Sequence, residues 1–291
     1  MKCFLCDYEG NMEVKSNKNN RNIIACPNCE VQFMESFPTD EEIEAIYSER
    51  YFSSWTGEGN TEYVRKMKKL SFYAILKNIL LYKNSGNILD VGTAVGFLLE
   101  KAVELGFNPY GIEISEYASS IAKKKFGDER IYNGTLENTP FEENFFDIIT
   151  MCDVIEHVRN PIETLNIASK LLKNDGYILI TTPNTDSFSA RIFGSKWHRY
   201  TIDHLILFNE KSMKLLADKT NFDVIKVSPS VKVVNLNYLT SITKITDMFL
   251  IPNFINALNK IPIVNRINIP ILMGEKTYIL KKIKTHGEKN V

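Results

Sequence analysis

The sequence predicts an α/β protein with a parallel sheet covered on both faces and a small cysteine-bound unit ahead of it. Three observations carry this. Apolar, β-branched runs alternate with helical periods from residue 86 onward, two C-x-x-C pairs stand near the start, and a glycine-bearing turn ends the first strand of the alternating part. Strict alternation requires parallel strands, because each crossover must return the chain to the same edge before the next strand begins.

The 291 residues are 44% hydrophobic and 24% charged, which suits one large domain and a small accessory unit. Lys+Arg and Asp+Glu both number 35, so the net charge is zero and the composition argues against nucleic acid as a partner. The opening "MKCFLCDYEG" lacks an apolar signal core and no later run suits a transmembrane span. With the five cysteines read as ligands or free thiols, the expected location is cytoplasmic.

Residues 1–37 come first. Cys3 and Cys6 ("CFLC") and Cys26 and Cys29 ("CPNC") have the spacing of a four-thiolate metal site, with two short strands around a polar turn between the pairs. Redox dithiols would open a helix within a βαβ unit, and neither pair does. Four sulfur ligands leave no open coordination position, so the expected zinc is structural and the unit is a zinc ribbon. Its acids (Asp7, Glu9, Glu13, Glu30, Glu35) outnumber its bases (Lys2, Lys15, Lys18, Arg21), unlike a ribbon that grips nucleic acid.

A helical linker spans 38–85. Thr39 or Asp40 caps its first helix, Glu41 and Glu42 suit the positive end of the dipole, and Ile43, Ile46 and Tyr47 give helical spacing. A second helix covers roughly 61–82. The loop between them places Tyr51 and Phe52 as a lid over a ligand pocket.

The core spans 86–230. "NILDVG", "PYGIEIS", "RIYNG", "FFDIITM", "GYILITTP" and "DVIKVSP" read as strands, with helices between most of them. Ligands in such sheets bind at the carboxyl ends of the strands. There the first strand ends "LDVGTAVGF", with Gly92 and Gly96 allowing a tight turn and close ligand approach, and the second ends at Glu113, whose carboxylate suits a ribose diol. Cys152 reads as a small buried hydrophobe at the end of "FFDIITMC".

The successive motifs "ILDVGTAVGFLLEKAVELGF", "GIEIS", "GTLENTPFEENFFDIITMCDVIEHVRNP" and "LLKNDGYILITTPN" resemble class I S-adenosylmethionine-dependent methyltransferases, and most closely the group with an N-terminal zinc ribbon. The resemblance implies a Rossmann-like seven-stranded sheet whose last strand, within 276–291, is antiparallel. It implies S-adenosylmethionine as cofactor. Asp90 would orient the loop and the cofactor's amino group, Gly92, Thr93, Ala94 and Gly96 would line the methionine moiety, Glu113 would hold the ribose, and Ile114, Thr135 and Leu136 would meet the adenine. Cys152 and Asp153 would lie beside the sulfonium. Two positions depart from the family pattern: Ala94 stands where Gly is frequent, and Thr135 where Asp is common, which leaves that adenine contact to backbone groups.

The segment after the fifth core strand carries Trp197, His198, Tyr200 and His204 and is expected to wall the acceptor, because aromatic faces suit a sugar or aryl ring. Residues 231–275 are expected to form a helical insertion that caps the site, makes a homodimer surface or touches a membrane peripherally. The expected activity is methylation of a small molecule, as O-methylation of a sugar, glycan precursor or related hydroxyl compound. An RNA methyltransferase and a non-catalytic cofactor-binding scaffold are the competing readings.

"CDVIEHV" raises the sharpest question. Asp153, Glu156 and His157 follow directly on the fourth core strand, where the cofactor's methyl group would be presented. His157 has the side chain for a general base. Asp153, Glu156 and His157 could instead hold a second divalent cation, closed by His204 or His198. This pattern resembles the E-x-x-E-H metal site of small-RNA 2′-O-methyltransferases and ubiquinone-pathway O-methyltransferases, with Asp153 in place of the first Glu. The third option is that Glu156 and His157 cap the helix that starts near Asn160.

Overall fold

The computed structural model describes residues 1–46, 61–235 and 268–283. Tyr51, Phe52, most of the expected insertion and the tail lie outside these residues. Among the described residues no helix is long and apolar enough to cross a membrane.

The ribbon is built on β1 (Glu13–Lys18), β2 (Arg21–Ala25) and β3 (Gln32–Met34), paired antiparallel. Asn19 and Asn20 join β1 to β2 with φ of 49° and 61°, the left-handed pair that a two-residue type I′ hairpin requires and that Asn tolerates. The linker contributes α1 (Asp40–Ile46) and α2 (Thr61–Leu76).

The core continues with β4 (Gly86–Val91), α3 (Phe97–Glu104), β5 (Phe107–Glu113), α4 (Glu116–Phe126), β6 (Ile131–Asn133), β7 (Phe146–Cys152), α5 (Pro161–Leu171), β8 (Leu172–Pro183), α6 (Phe188–Phe193), β9 (Ile206–Leu207), α7 (Glu210–Lys219), β10 (Phe222–Asn235) and β11 (Asn268–Lys282). Seven strands form one sheet in the order β10-β11-β8-β7-β4-β5-β6. Its neighbours from β8 to β6 pair parallel, and β11 is antiparallel to both β8 and β10. β4, β7 and β8 are apolar on both faces because helices cover both, as a parallel sheet requires. The class I architecture expected from the resemblance is therefore present, last strand included.

The expected helical insertion is corrected at both flanks. Residues 231–235 continue β10 and 268–275 belong to β11, paired from Val231↔Leu272 to Asn235↔Asn268. "VKVVN" and "NIPIL" are rich in β-branched residues, which suits a strand pair more than a helix.

β9 does not join the large sheet. It pairs with β3, so the ribbon's sheet runs β1-β2-β3-β9 and takes its fourth strand from the segment after β8. Leu5, Ile23, Val31 and Phe33 consequently share one apolar core with Trp197, Leu205, Phe208 and the underside of β7 and β8.

Candidate active site

The site lies at the carboxyl ends of β4, β5, β7 and β8, and it has two halves. The first is a cradle around the turn after β4. Gly92 and Thr93 donate their amides to Ile112 O at 2.8 and 3.0 Å, which ties the turn to β5. Gly92 has φ 74°, and a Cβ there would lie 2.8 Å from the Val154 side chain, so the position needs glycine on both counts. Ala94 adopts φ 49°, so the loop keeps its left-handed step without glycine, at some cost in strain.

Glu113 holds this turn from the neighbouring strand. Its Oε2 accepts from Ala94 N at 2.7 Å and its Oε1 from Ser115 N at 2.9 Å. Asp90, at the end of β4, is buried and accepts from Thr150 Oγ1 at 2.6 Å. Burial pushes the Asp90 carboxyl up to about 7 and also raises Glu113. Ile114 is 64% exposed beside Glu113, an open apolar face where the resemblance puts adenine. Gly134 N donates to Glu113 O at 3.0 Å, which brings Thr135 to the same edge. Leu136 is different: its side chain is buried in the core, so only its backbone remains for the expected adenine contact. Cys152 sits half-buried at the end of β7, its thiol raised well above its ordinary value by burial and then by Asp90.

The second half gathers around Glu156, His157 and His204, whose potential ligand atoms all lie within 4.8 Å of one another. Glu156 is fully buried; Oε2 accepts from Thr182 Oγ1 at 3.0 Å, while Oε1 has no hydrogen-bond partner among the described residues. His157 Nδ1 lies 2.7 Å from Asp203 O, and His204 Nδ1 lies 2.7 Å from Arg199 O. A carbonyl can only accept, so each Nδ1 carries the proton and each Nε2 the lone pair. Burial lowers the pKa of both rings, His204 to about 4, so both stay neutral near pH 7.

Asp153 leaves this cluster, which corrects the expected cation set. It sits at φ 57°, and its carboxylate pairs with Lys232 Nζ at 2.8 Å, an ion pair that keeps it well below the usual carboxylate range. Of the two residues expected to close the set, His204 is the one that joins Glu156 and His157. The helix-capping option also fails, because Asn160 itself caps α5 by accepting from Glu163 N and Pro161 fills the first turn.

Two of the expected acceptor-wall residues are packed away. Trp197 is 0% exposed and donates Nε1–H to Ser189 Oγ at 3.1 Å. Tyr200 is buried and donates to Gln32 Oε1 of the ribbon at 2.8 Å. Neither ring offers a face to a ligand; both fill the seam between ribbon and core. His198 is half-buried, with its pKa lowered to about 4 by burial and then by Arg199.

Sequence reasoning missed three residues here. Lys232 Nζ bridges Asp153 and Glu275 Oε1 (2.7 Å), and Arg199 also binds that Glu275 oxygen. The Glu275 side chain is 1% exposed, and its Oε2 has no partner among the described residues. These residues come from the segment after β8, from β10 and from β11, and no local motif announces them.

In the ribbon, Cys3 Sγ and Cys29 Sγ lie 3.6 Å apart and Cys6 Sγ and Cys26 Sγ 3.5 Å apart, with no disulfide. Four sulfurs about 2.3 Å from one zinc would sit roughly 3.8 Å apart, so the set fits a tetrahedral ion.

Comparison with known proteins agrees with this geometry. A family model described as a methyltransferase domain matches residues 63–227. The ubiquinone biosynthesis O-methyltransferase of Nitrosospira multiformis is 26% identical over 176 residues, covering 55% of this chain and 74% of that protein. Its counterpart in a Ruegeria species is 28% identical over 180 residues, covering 54% and 73%. Among solved structures, a SAM-dependent methyltransferase from Thermotoga maritima aligns with TM-score 0.53 and 19% identity over 84% of this chain and 100% of that one. The 1,6-didemethyltoxoflavin-N1-methyltransferase of Burkholderia thailandensis aligns with TM-score 0.53 and 13% identity over 94% and 100%.

Proposed function

The chain belongs to the methyltransferase-domain family, and on that premise we propose that it moves the methyl group of S-adenosylmethionine to a hydroxyl oxygen of a small polar molecule, such as a sugar or a related hydroxyl compound. The observation that carries this reading is the Glu156/His157/His204 cluster beside the cofactor cradle. An amine acceptor is already nucleophilic once neutral, whereas a hydroxyl gains from a group that takes or weakens its proton. The O-methyltransferase relatives point the same way.

Asp90, Gly92, Thr93, Ala94 and Glu113 would hold the cofactor, with Glu113 toward the ribose and Asp90 toward the amino group. Asp153 ends the same edge.

Glu156, His157 and His204 suit a divalent cation. Among the described residues they offer one carboxylate oxygen without a hydrogen-bond partner and two imidazole Nε2 atoms, and both rings are oriented by carbonyls on Nδ1. Ligands about 2.1 Å from an ion would sit roughly 3–4 Å apart, so this cluster would close by about an ångström on binding. The cation would lower the pKa of an acceptor hydroxyl. The chain's own part is to keep both rings neutral, to exclude water around Glu156 and to aim the acceptor oxygen at the methyl carbon. A second reading makes His157 the base, favoured by the Asp203 carboxylate 3.7 Å from its Nδ1, which would stabilise the ring once protonated.

The polar surroundings favour a hydroxyl-rich acceptor over a flat apolar one. With Trp197 and Tyr200 buried, the groups near the cluster among the described residues include Asp153, Arg199, Lys232 and Glu275. The test is transfer of a labelled methyl group from S-adenosylmethionine to a panel of sugars, catechols, amines and RNA, with and without added magnesium or manganese. Methyl ethers formed from hydroxyl compounds support the proposal; transfer to amines or RNA alone would remove it.

A further inference from the structure

We propose that the ribbon is the positioning element for the acceptor side of the site: zinc held by Cys3, Cys6, Cys26 and Cys29 sets the geometry of Glu156, His157 and His204. The coupling stands on backbone contacts, and its catalytic meaning rests on the function proposed above.

The path begins at the second knuckle. Glu30 N donates to Cys26 O at 2.9 Å and Cys26 N to Val31 O at 3.0 Å, so the thiolate pair shapes the turn that feeds β3. β3 then pairs with β9 through Gln32↔Leu207 and Phe33↔Ile206, and Met34 N donates to Leu205 O at 3.0 Å. On the other side of the same segment, Leu205 N and Ile206 N both donate to Glu156 O, at 2.8 and 3.1 Å. One short segment, β9 with Leu205 before it, thus links ribbon backbone to the backbone of a cluster residue, and His204 precedes it by one residue.

Side chains repeat the connection. Tyr200 reaches Gln32, Asn209 Nδ2 and Lys211 Nζ each reach Glu30 at 2.7 Å, and Ser16 Oγ donates to Ser195 O at 2.7 Å. The ribbon therefore grips the segment from Ser195 to Lys211 along its length. That segment carries His204 and supplies, at Arg199 and Asp203, the carbonyls that fix both imidazoles.

β9 is two residues long, and its strand partner in either sheet is β3. A strand that short has no independent stability. The bridge from Phe208 to Asn184 anchors its far end to the core, whereas the end next to His204 is held between Glu156 O on one side and the ribbon on the other. A ribbon this small lacks a core sufficient to hold its knuckles without the metal. Loss of zinc should therefore loosen Leu205 and Ile206 and release the two rings, while the cradle around Asp90 and Glu113 stays intact.

The experiment uses the full chain, zinc-loaded and zinc-stripped. It reads amide exchange, imidazole NMR signals and S-adenosylhomocysteine binding; the chain has only four histidines, so the ring signals are separable. Stripping should speed exchange at Leu205 and Ile206 at least about tenfold and move the His157 and His204 signals. Amides of β4 and β5 should keep their protection, S-adenosylhomocysteine affinity should stay within about twofold, and returned zinc should reverse the changes. Unmoved rings and protected Leu205 in a stripped chain whose β1 and β2 amides exchange freely would overturn the proposal. So would loss of protection throughout β4 and β5.

Glu30→Gln combined with Gln32→Leu is the second arm, because it cuts side-chain anchors while leaving the thiolates. With zinc content unchanged, the same ring signals should move, and Gln32→Glu, which keeps an acceptor oxygen for Tyr200, should not move them. Unmoved signals in the zinc-loaded double variant would also overturn the coupling. None of these readouts depends on the acceptor, so failure here is separate from failure of the proposed activity.

Discussion

The His157 and His204 rings meet edge to face, with centroids 4.8 Å apart and planes at 69°. His157 is held by Asp203, and His204 by Arg199, so both orientations derive from the segment after β8. A carbonyl on Nδ1 selects the tautomer whose Nε2 can bind a cation or take a proton. The pair is therefore set for either chemistry before any acceptor arrives.

Cofactor affinity should depend on pH through Asp90. Burial raises its carboxyl to about 7, so the free folded chain favours the neutral acid. The sign follows: the folded state binds more protons than the unfolded chain, and this group lowers stability as pH rises from about 4 to 7. Binding of the cofactor's cationic amino group would favour the ionised form instead. Affinity for S-adenosylmethionine should rise with pH, by up to about tenfold per unit below 7, and level off above. Calorimetry from pH 5.5 to 8 checks this, with Asp90→Asn expected to flatten the profile. A flat wild-type profile would remove Asp90 from that role.

Much of this was legible in the chain. β-branched runs alternating with helical periods announce a parallel sheet, and Gly92 and Glu113 close their cradle because both sit at strand ends fixed by adjacent pairing. Glu156 and His157 are neighbours, so their half of the cluster could be read directly. Asp153 could not. Its left-handed backbone turns the carboxylate to Lys232, a residue of β10 whose approach depends on the complete sheet. The aromatic segment misled for a related reason: Trp197 and Tyr200 are amphipathic, and only the docked ribbon shows that they fill a seam.

Glu113→Ala should weaken the cofactor and the fold together. Its two oxygens satisfy the buried amide of Ala94 and the half-buried amide of Ser115, and the buried amide left without a partner costs about 1–3 kcal/mol. S-adenosylmethionine affinity should fall roughly ten- to a hundredfold, with a measurable drop in melting temperature. Unchanged affinity in a folded variant would show that the ribose is held elsewhere.

Trp197→Ala should act on stability. The ring is fully buried at the ribbon seam, and deleting such a side chain costs about 3–5 kcal/mol. Denaturant unfolding should show that loss, while acceptor KM in the remaining folded enzyme changes little. A variant of normal stability with a raised KM would restore Trp197 to the acceptor wall.

His204→Ala separates a cation from a base. If Glu156, His157 and His204 hold a divalent ion, wild-type methyl transfer should rise with added magnesium or manganese and saturate. Removing one ligand should move half-activation upward by at least about 10–100-fold, since even the loss of an outer-shell partner costs that much. Protons compete with the ion at Glu156 as well as at the rings, and burial raises the Glu156 carboxyl well above its ordinary range, so half-activation should move to lower metal concentration as pH rises. If His157 is the base instead, His157→Ala should cost about 10²–10⁴ in turnover with cofactor affinity intact, and added metal should change nothing. His204→Ala would then act only through the ring contact and lose far less. The zinc proposed for the ribbon has to be kept apart from this comparison, so zinc content is measured in every variant and mild chelation is preferred to stripping. Normal turnover without a divalent ion in both His157→Ala and His204→Ala would exclude the cluster from methyl transfer altogether.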